Sequence, residues 1–117
     1  ICAYTGVAVT VSGGYNNIVT GVDSVISGGR TNTAVGARAV IGGGLSNTAS
    51  NNYSIVSGGY QNLSSGYGST VSGGYRNCAN GNQTSIGGGI CNFIYCSSAA
   101  TCTAGATISG GVGNNTA

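Results

Sequence analysis

The chain has 117 residues, of which 24 are glycine and only four are charged, three Arg and one Asp, for a formal net charge of +2. It contains no Pro, Met, Trp, His, Lys or Glu. That inventory provides no general acid–base pair and leaves a cysteine nucleophile without a base, so an enzyme is not expected. Three arginines without a basic cluster argue against a nucleic-acid surface, and no apolar run approaches the ~20 residues of a membrane helix.

The same composition would describe a disordered, low-complexity chain if it lacked a period. The pattern Ile/Val-x-Gly-Gly recurs at Val11, Ile26, Ile41, Val56, Val71 and Ile86, each 15 residues after the last, and opens again at Ile108 after 22. A fixed short period with one supersecondary unit per repeat is the signature of a solenoid. Numbered from its Ile/Val, the unit has Asn at position 7 in every copy, at Asn17, Asn32, Asn47, Asn62, Asn77, Asn92 and Asn114, and usually Gly at position 11. Marked and free residues alternate in two stretches of each unit, which reads as two short strands per coil, each with one face inward.

The first strand sends inward position 14 (Ser24, Ser54, Ser69), position 1 and the first Gly. The second sends inward the Asn, a small residue such as Ala34, Ala49 or Ala79, and Gly. Small inward side chains let two strands approach closely, which favours a flattened roll over a three-sided helix. The predicted fold is all-β, a parallel β-solenoid in the form of a flattened two-sided β-roll with 15 residues per coil and one inserted loop. At ~4.8 Å of rise per coil, about seven to eight coils make a rod roughly 35–40 Å long. The whole chain, 1–117, is expected to be a single domain.

In chain order, the first coil (1–10) is expected to be irregular. Ile1 enters at position 6, Cys2 stands where Asn belongs, and Tyr4 would point into a space made for Ala. With neither an initial Met nor a signal peptide, the sequence reads as a processed product or a piece of something longer.

Regular coils are expected over 11–90. Gly-Gly makes one corner and Gly-x-x the other, where positive φ would be costly for other residues. The Asn at position 7 follows the Gly-Gly corner, and its amide is expected to bond backbone groups of its own coil and of the Asn one coil away. Position 5 holds Tyr15, Arg30, Leu45, Tyr60, Tyr75, Ile90 and Val112, so Tyr60 should stack on Tyr75 and Arg30 should lie over Tyr15. Asp23 and Arg38 share position 13 in successive coils, a surface ion pair of at most ~1 kcal/mol. Outward positions of the first strand form a flat, uncharged strip that includes Thr10, Val25, Val40, Ile55, Thr70 and Ser85. The Val25, Val40 and Ile55 part, flanked by Tyr60 and Tyr75, is the candidate assembly face, since so continuous an apolar surface on a thin rod is expected to be buried against another chain.

Residues 91–107 hold the insertion, three of the five cysteines and the single Phe, Phe93. This segment is expected to leave the roll as a loop covered by Phe93 and Tyr95 and stapled by a disulfide. A zinc site is excluded by the absence of His and of paired C-x-x-C spacing. The candidate disulfide residues are Cys96 with Cys102, nearest in sequence, and Cys78 with Cys91, on adjacent coils. Cys2 remains as the candidate for pairing between chains.

The last partial coil is 108–117. Ile1 and Ala117 both fall inside the second strand with no capping element, and an uncapped coil recruits another strand. Head-to-tail stacking is therefore expected, either of chains sealed through Cys2 or of successive windows of one longer chain. Four Asn-x-Ser/Thr sequons occur, at Asn52, Asn62, Asn82 and Asn114. Asn62 and Asn114 belong to the inward ladder, so the glycosylation candidates are Asn52 and Asn82, on the exposed Gly-x-x corner.

The run Ser-x-(Ile/Val)-x-Gly-Gly-x-x-Asn-x-Ala-x-Gly, over about residues 6–90 and again 106–117, resembles the YadA-like head (Hep-Hag) repeats. These are the parallel β-rolls of trimeric surface adhesins and fibre proteins. The resemblance implies an extracellular, multimeric, rod-like binding or spacer domain. The Asn-x-Val/Ala-x-Gly half also resembles the ryegrass ice-binding β-roll. The expectation is a structural or adhesive fibre component, extracellular or at the cell surface, forming a homo-oligomer or head-to-tail filament. Surface glycans are its expected partners; no cofactor, nucleic acid or membrane span is expected. The alternative is an ice-binding protein using the Thr/Val/Ser strip.

Overall fold

The structure is a computed structural model that describes residues 2–3, 8–95 and 104–116. Among these, fifteen strands of two residues each are dealt alternately to two sheets. The first sheet has seven strands, Thr10–Val11, Val25–Ile26, Val40–Ile41, Ile55–Val56, Thr70–Val71, Ser85–Ile86 and Thr107–Ile108. The second has eight, which include Ile18–Val19, Thr33–Ala34, Thr48–Ala49, Leu63–Ser64, Cys78–Ala79 and Phe93–Ile94. Every pairing is parallel and joins equivalent positions of successive coils, as in Val25↔Val40 and Thr33↔Thr48. The expected fold, a two-sided parallel β-solenoid, is the one observed. A third ladder of single parallel bridges, Tyr15–Arg30–Leu45–Tyr60–Tyr75–Ile90–Val112, runs along the corner between the sheets.

The principal extents are 35 × 27 × 16 Å. The smallest leaves room for two sheets ~10 Å apart and little else. Between them the core is one side chain deep. Ile26, Ile41, Val56, Val71 and Ile86 of the first sheet pack against Val19, Ala34, Ala49, Ala79 and Ile94 of the second, all fully buried. Position 14 adds buried hydroxyls whose hydrogen bonds go to backbone carbonyls, Ser24 Oγ to Gly36 O at 2.7 Å and Thr84 Oγ1 to Gly81 O at 2.7 Å.

The Asn ladder runs without a break from Asn17 to Asn114. Asn32 donates through Nδ2 to Gly28 O of its own coil (3.1 Å) and Gly44 O of the next (3.0 Å), and its Oδ1 accepts the backbone N–H of Asn47 at 3.0 Å. The same pattern recurs at Asn47, Asn62, Asn77 and Asn92, all buried. Each amide thereby satisfies one carbonyl of its own coil and one N–H of the next Asn, and adds a second donor to a next-coil carbonyl that already accepts a backbone N–H. Asn114 keeps the bonds to Asn92 and Gly110 but is exposed, unlike the fully inward residue expected.

Three further details differ from the sequence reading. At the Gly-x-x corner the positive φ falls at position 13, on Asp23 (56°), Arg38 (55°), Tyr53 (59°) and Gln83 (54°), and not on the glycine at position 11. That glycine is required by crowding, since a Cβ on Gly21 would collide with the Gly36 carbonyl one coil away. In the first coil Cys2 pairs with Ile18 and Ala3 with Val19, one residue out of the repeat. The shift gives Ala3 the register of the inward-facing Val19 and gives Cys2 that of an outward position, so the inward register falls to a small residue. The inserted residues also begin later than expected. Cys91 and Asn92 keep their corner and ladder roles, Phe93–Ile94 is a regular strand paired with Cys78–Ala79, and the coil is intact through Tyr95. The first sheet then resumes with Ile86↔Ile108.

Candidate binding faces

The solenoid positions its outward residues in rows, because every coil repeats the same backbone. Four rows bear on function. The outer strip of the first sheet runs Thr10, Val25, Val40, Ile55, Thr70, Ser85 and Thr107 in unbroken register. Val40 and Ile55 remain 36% and 37% exposed despite their size. The strip carries no charge, so the candidate assembly residues Val25, Val40 and Ile55 do lie side by side. Tyr60 and Tyr75 do not flank them directly; they stand on the Gly-Gly corner, in the third ladder.

On that corner Tyr60 and Tyr75 stack with centroids 5.2 Å apart and planes 17° from parallel, and the Arg30 guanidinium lies 5.1 Å from the Tyr15 centroid. Both contacts follow from a row in which equivalent side chains sit one strand spacing apart. Arg76, at position 6, reaches back over the Tyr75 ring at 5.9 Å, a contact the row reading missed because it compared only identical positions.

The opposite corner holds the ion pair of Arg38 Nε with Asp23 Oδ2 at 3.8 Å. It also brings together Arg38 and Tyr53, through an Nη1 bond to the hydroxyl of 2.6 Å, and Tyr53 and Tyr67, edge to face at 5.5 Å. The sequons Asn52 and Asn82 are exposed here. Their Oδ1 atoms accept the N–H groups of Ala37 (3.0 Å) and Tyr67 (3.2 Å), one coil back. Asn62, by contrast, is 1% exposed.

The outer face of the second sheet carries Ile18, Thr33, Thr48, Leu63, Cys78 and Phe93 in one row. Cys78 and Cys91 are both free thiols, so the disulfide expected between adjacent coils is not formed. The reason is register: Cys78 stands opposite Phe93, while Cys91 occupies the corner at φ 53° and donates its N–H to Tyr75 O. Burial pushes the Cys78 thiol pKa above its ordinary value. Cys96 and Cys102 lie outside the described residues, as does the Cys2 side chain. At the far end of this face an open cleft of about 450 Å³ is lined by Phe93, Tyr95, Asn115 and Thr116.

Among the described residues no three His, Cys, Asp or Glu side chains come together to hold a metal ion, and no helix is long and apolar enough to cross a membrane. The fold and its rows define a two-sided parallel β-solenoid repeat protein. No protein-family model, curated protein or solved structure matches the chain.

Proposed function

We propose that the chain is a structural or adhesive fibre component, built to be stiff along its length and to associate through the flat strip of its first sheet. The observation that carries this reading is the in-register row Val25–Val40–Ile55, an apolar, charge-free surface on a rod only 16 Å thick. The Asn ladder and the two sheets tie each coil to the next, which suits a spacer or a presenting rod. In this reading the protein works outside the cell as a multimer or filament without catalysis, and Asn52 and Asn82 are its glycan attachment points.

Native mass spectrometry and negative-stain microscopy of the wild-type chain and Val40→Lys test the proposal. Discrete multimers or filaments that disperse in Val40→Lys, with the β-sheet circular dichroism retained, support it. A wild-type monomer at micromolar concentration, or a mass unchanged by the substitution, overturns it.

Ice binding is the second reading, favoured by the flatness and unbroken register of the same strip, with Thr10, Thr70 and Thr107 among its members. Thermal hysteresis decides it. A freezing-point gap at millimolar protein that disappears in Val40→Lys would replace the fibre reading, and no gap removes the alternative.

A further inference from the structure

All three arginines lie over tyrosine rings, but they are not equivalent. Arg38 has Asp23, the chain's single acid, 3.8 Å away and spends Nη1 on the Tyr53 hydroxyl. Arg30 and Arg76 stand on the opposite, Gly-Gly corner, and among the described residues neither has a carboxylate partner. The formal charge of +2 is therefore concentrated on one edge of the rod. The same edge exposes Tyr15 (66%), Tyr60 (41%) and Tyr75 (36%). With no carboxylate beside them among the described residues, the Arg30 and Arg76 guanidinium groups keep N–H donors available for an anion.

We propose that this edge binds a linear acidic polysaccharide lying along the rod axis. Its sugar rings run along the outer rims of the tyrosines, since Tyr60 and Tyr75 turn their faces toward each other, and its carboxylate or sulfate groups sit on Arg30 and Arg76. Three coil steps separate the two arginines, about 14 Å at ~4.8 Å per step, so a single sugar or a small anion cannot engage both. An extended sugar chain can, because its rings follow one another at about the interval of the coils. Two widely spaced cations with aromatics between them are a poor match for nucleic acid, whose dense phosphates call for many basic contacts. A second copy of this edge is disfavoured by like charge. The inference rests on the adhesive reading, for which it names the ligand class.

Isothermal titration of the intact chain at low salt tests it with four probes. These are an oligogalacturonate long enough to span three coils, a sulfated oligosaccharide of equal length, a neutral cello-oligosaccharide of equal length and single-stranded DNA. Binding of either acidic sugar chain, weakened by salt and absent for the neutral one, is expected; which of the two binds assigns carboxylate or sulfate. Arg30→Gln or Arg76→Gln should each weaken it about tenfold or more, the effect of losing a charge-assisted contact, and Arg38→Gln should leave it unchanged. No acidic chain bound, equal binding of the neutral chain, DNA bound as tightly, or an equal loss in Arg38→Gln overturns the proposal. The mass of the wild-type chain separates the two claims. Assembly without sugar binding sinks this inference alone, while sugar binding by a wild-type monomer leaves it standing and removes the multimer.

Discussion

The Oδ1 of Asn47 accepts the backbone N–H of Asn62 at 2.9 Å, and this one contact links two coils through a side chain that also bonds Gly43 O and Gly59 O. Asn47→Ala removes all three bonds at a fully buried position. Buried polar groups left unpaired cost about 1–3 kcal/mol each, with partial relief where the backbone relaxes. A loss of about 3 kcal/mol in denaturant unfolding is expected, against less than about 0.5 kcal/mol for Asn52→Ala on the exposed corner. Equal effects at the two sites would remove the ladder from the account of stability.

Adjacent glycines should respond differently to the same change. A Cβ on Gly59, at φ 88°, would meet the Gly74 carbonyl, whereas a Cβ on Gly58 would meet nothing within 4 Å. Gly59→Ala is expected to destabilise by more than about 2 kcal/mol and Gly58→Ala by less than about 1 kcal/mol. Thermal unfolding of the pair measures the difference.

Thr31 is a β-branched residue at φ 56°, where side chains of that shape are outliers. Asn tolerates this region better. Thr31→Asn is therefore expected to stabilise the chain by about 0.5–1 kcal/mol, seen as a raised denaturation midpoint with an unchanged slope. A lower midpoint would mean that the Thr side chain contributes something its backbone strain conceals.

The Cys78 thiol provides a pH test. Its pKa is raised by burial in the folded state, so the unfolded chain ionises first as pH rises. The related stability is whole below the unfolded thiol's pKa and is lost as pH climbs through the folded one. Iodoacetamide should modify Cys78 in the native protein more slowly than in urea at pH 8.5, with the native rate still rising above that pH. Equal rates in the two states would refute the burial argument.

Much of the molecule was legible because a strict period converts sequence positions into places. Tyr60 on Tyr75, Arg30 over Tyr15 and Arg38 beside Asp23 all follow from counting in fifteens. What counting could not supply is conformation within a coil. The sequence marks glycine at position 11, yet the left-handed turn falls two residues later on residues as varied as Asp23 and Tyr53. The glycine answers a different demand, crowding from the backbone of the neighbouring coil, which a single unit of sequence does not display. The same blindness misjudged Cys78 and Cys91, which are on adjacent coils but in rows that do not meet. The shift of Ala3 into the register of Val19 breaks the period itself, and arithmetic alone would not find it.

The pairing of Ile86 with Ile108, across a coil lengthened by the inserted residues, shows that each turn recognises only its immediate neighbours. Length is then a free variable of this architecture. In-frame duplication or loss of one unit would keep the strand and Asn ladders in register and change only the outward side-chain pairs, so related chains are expected to differ in whole multiples of the repeat. Selection could set the reach of the rod by recombination between its own copies, without devising a new core or ladder interaction.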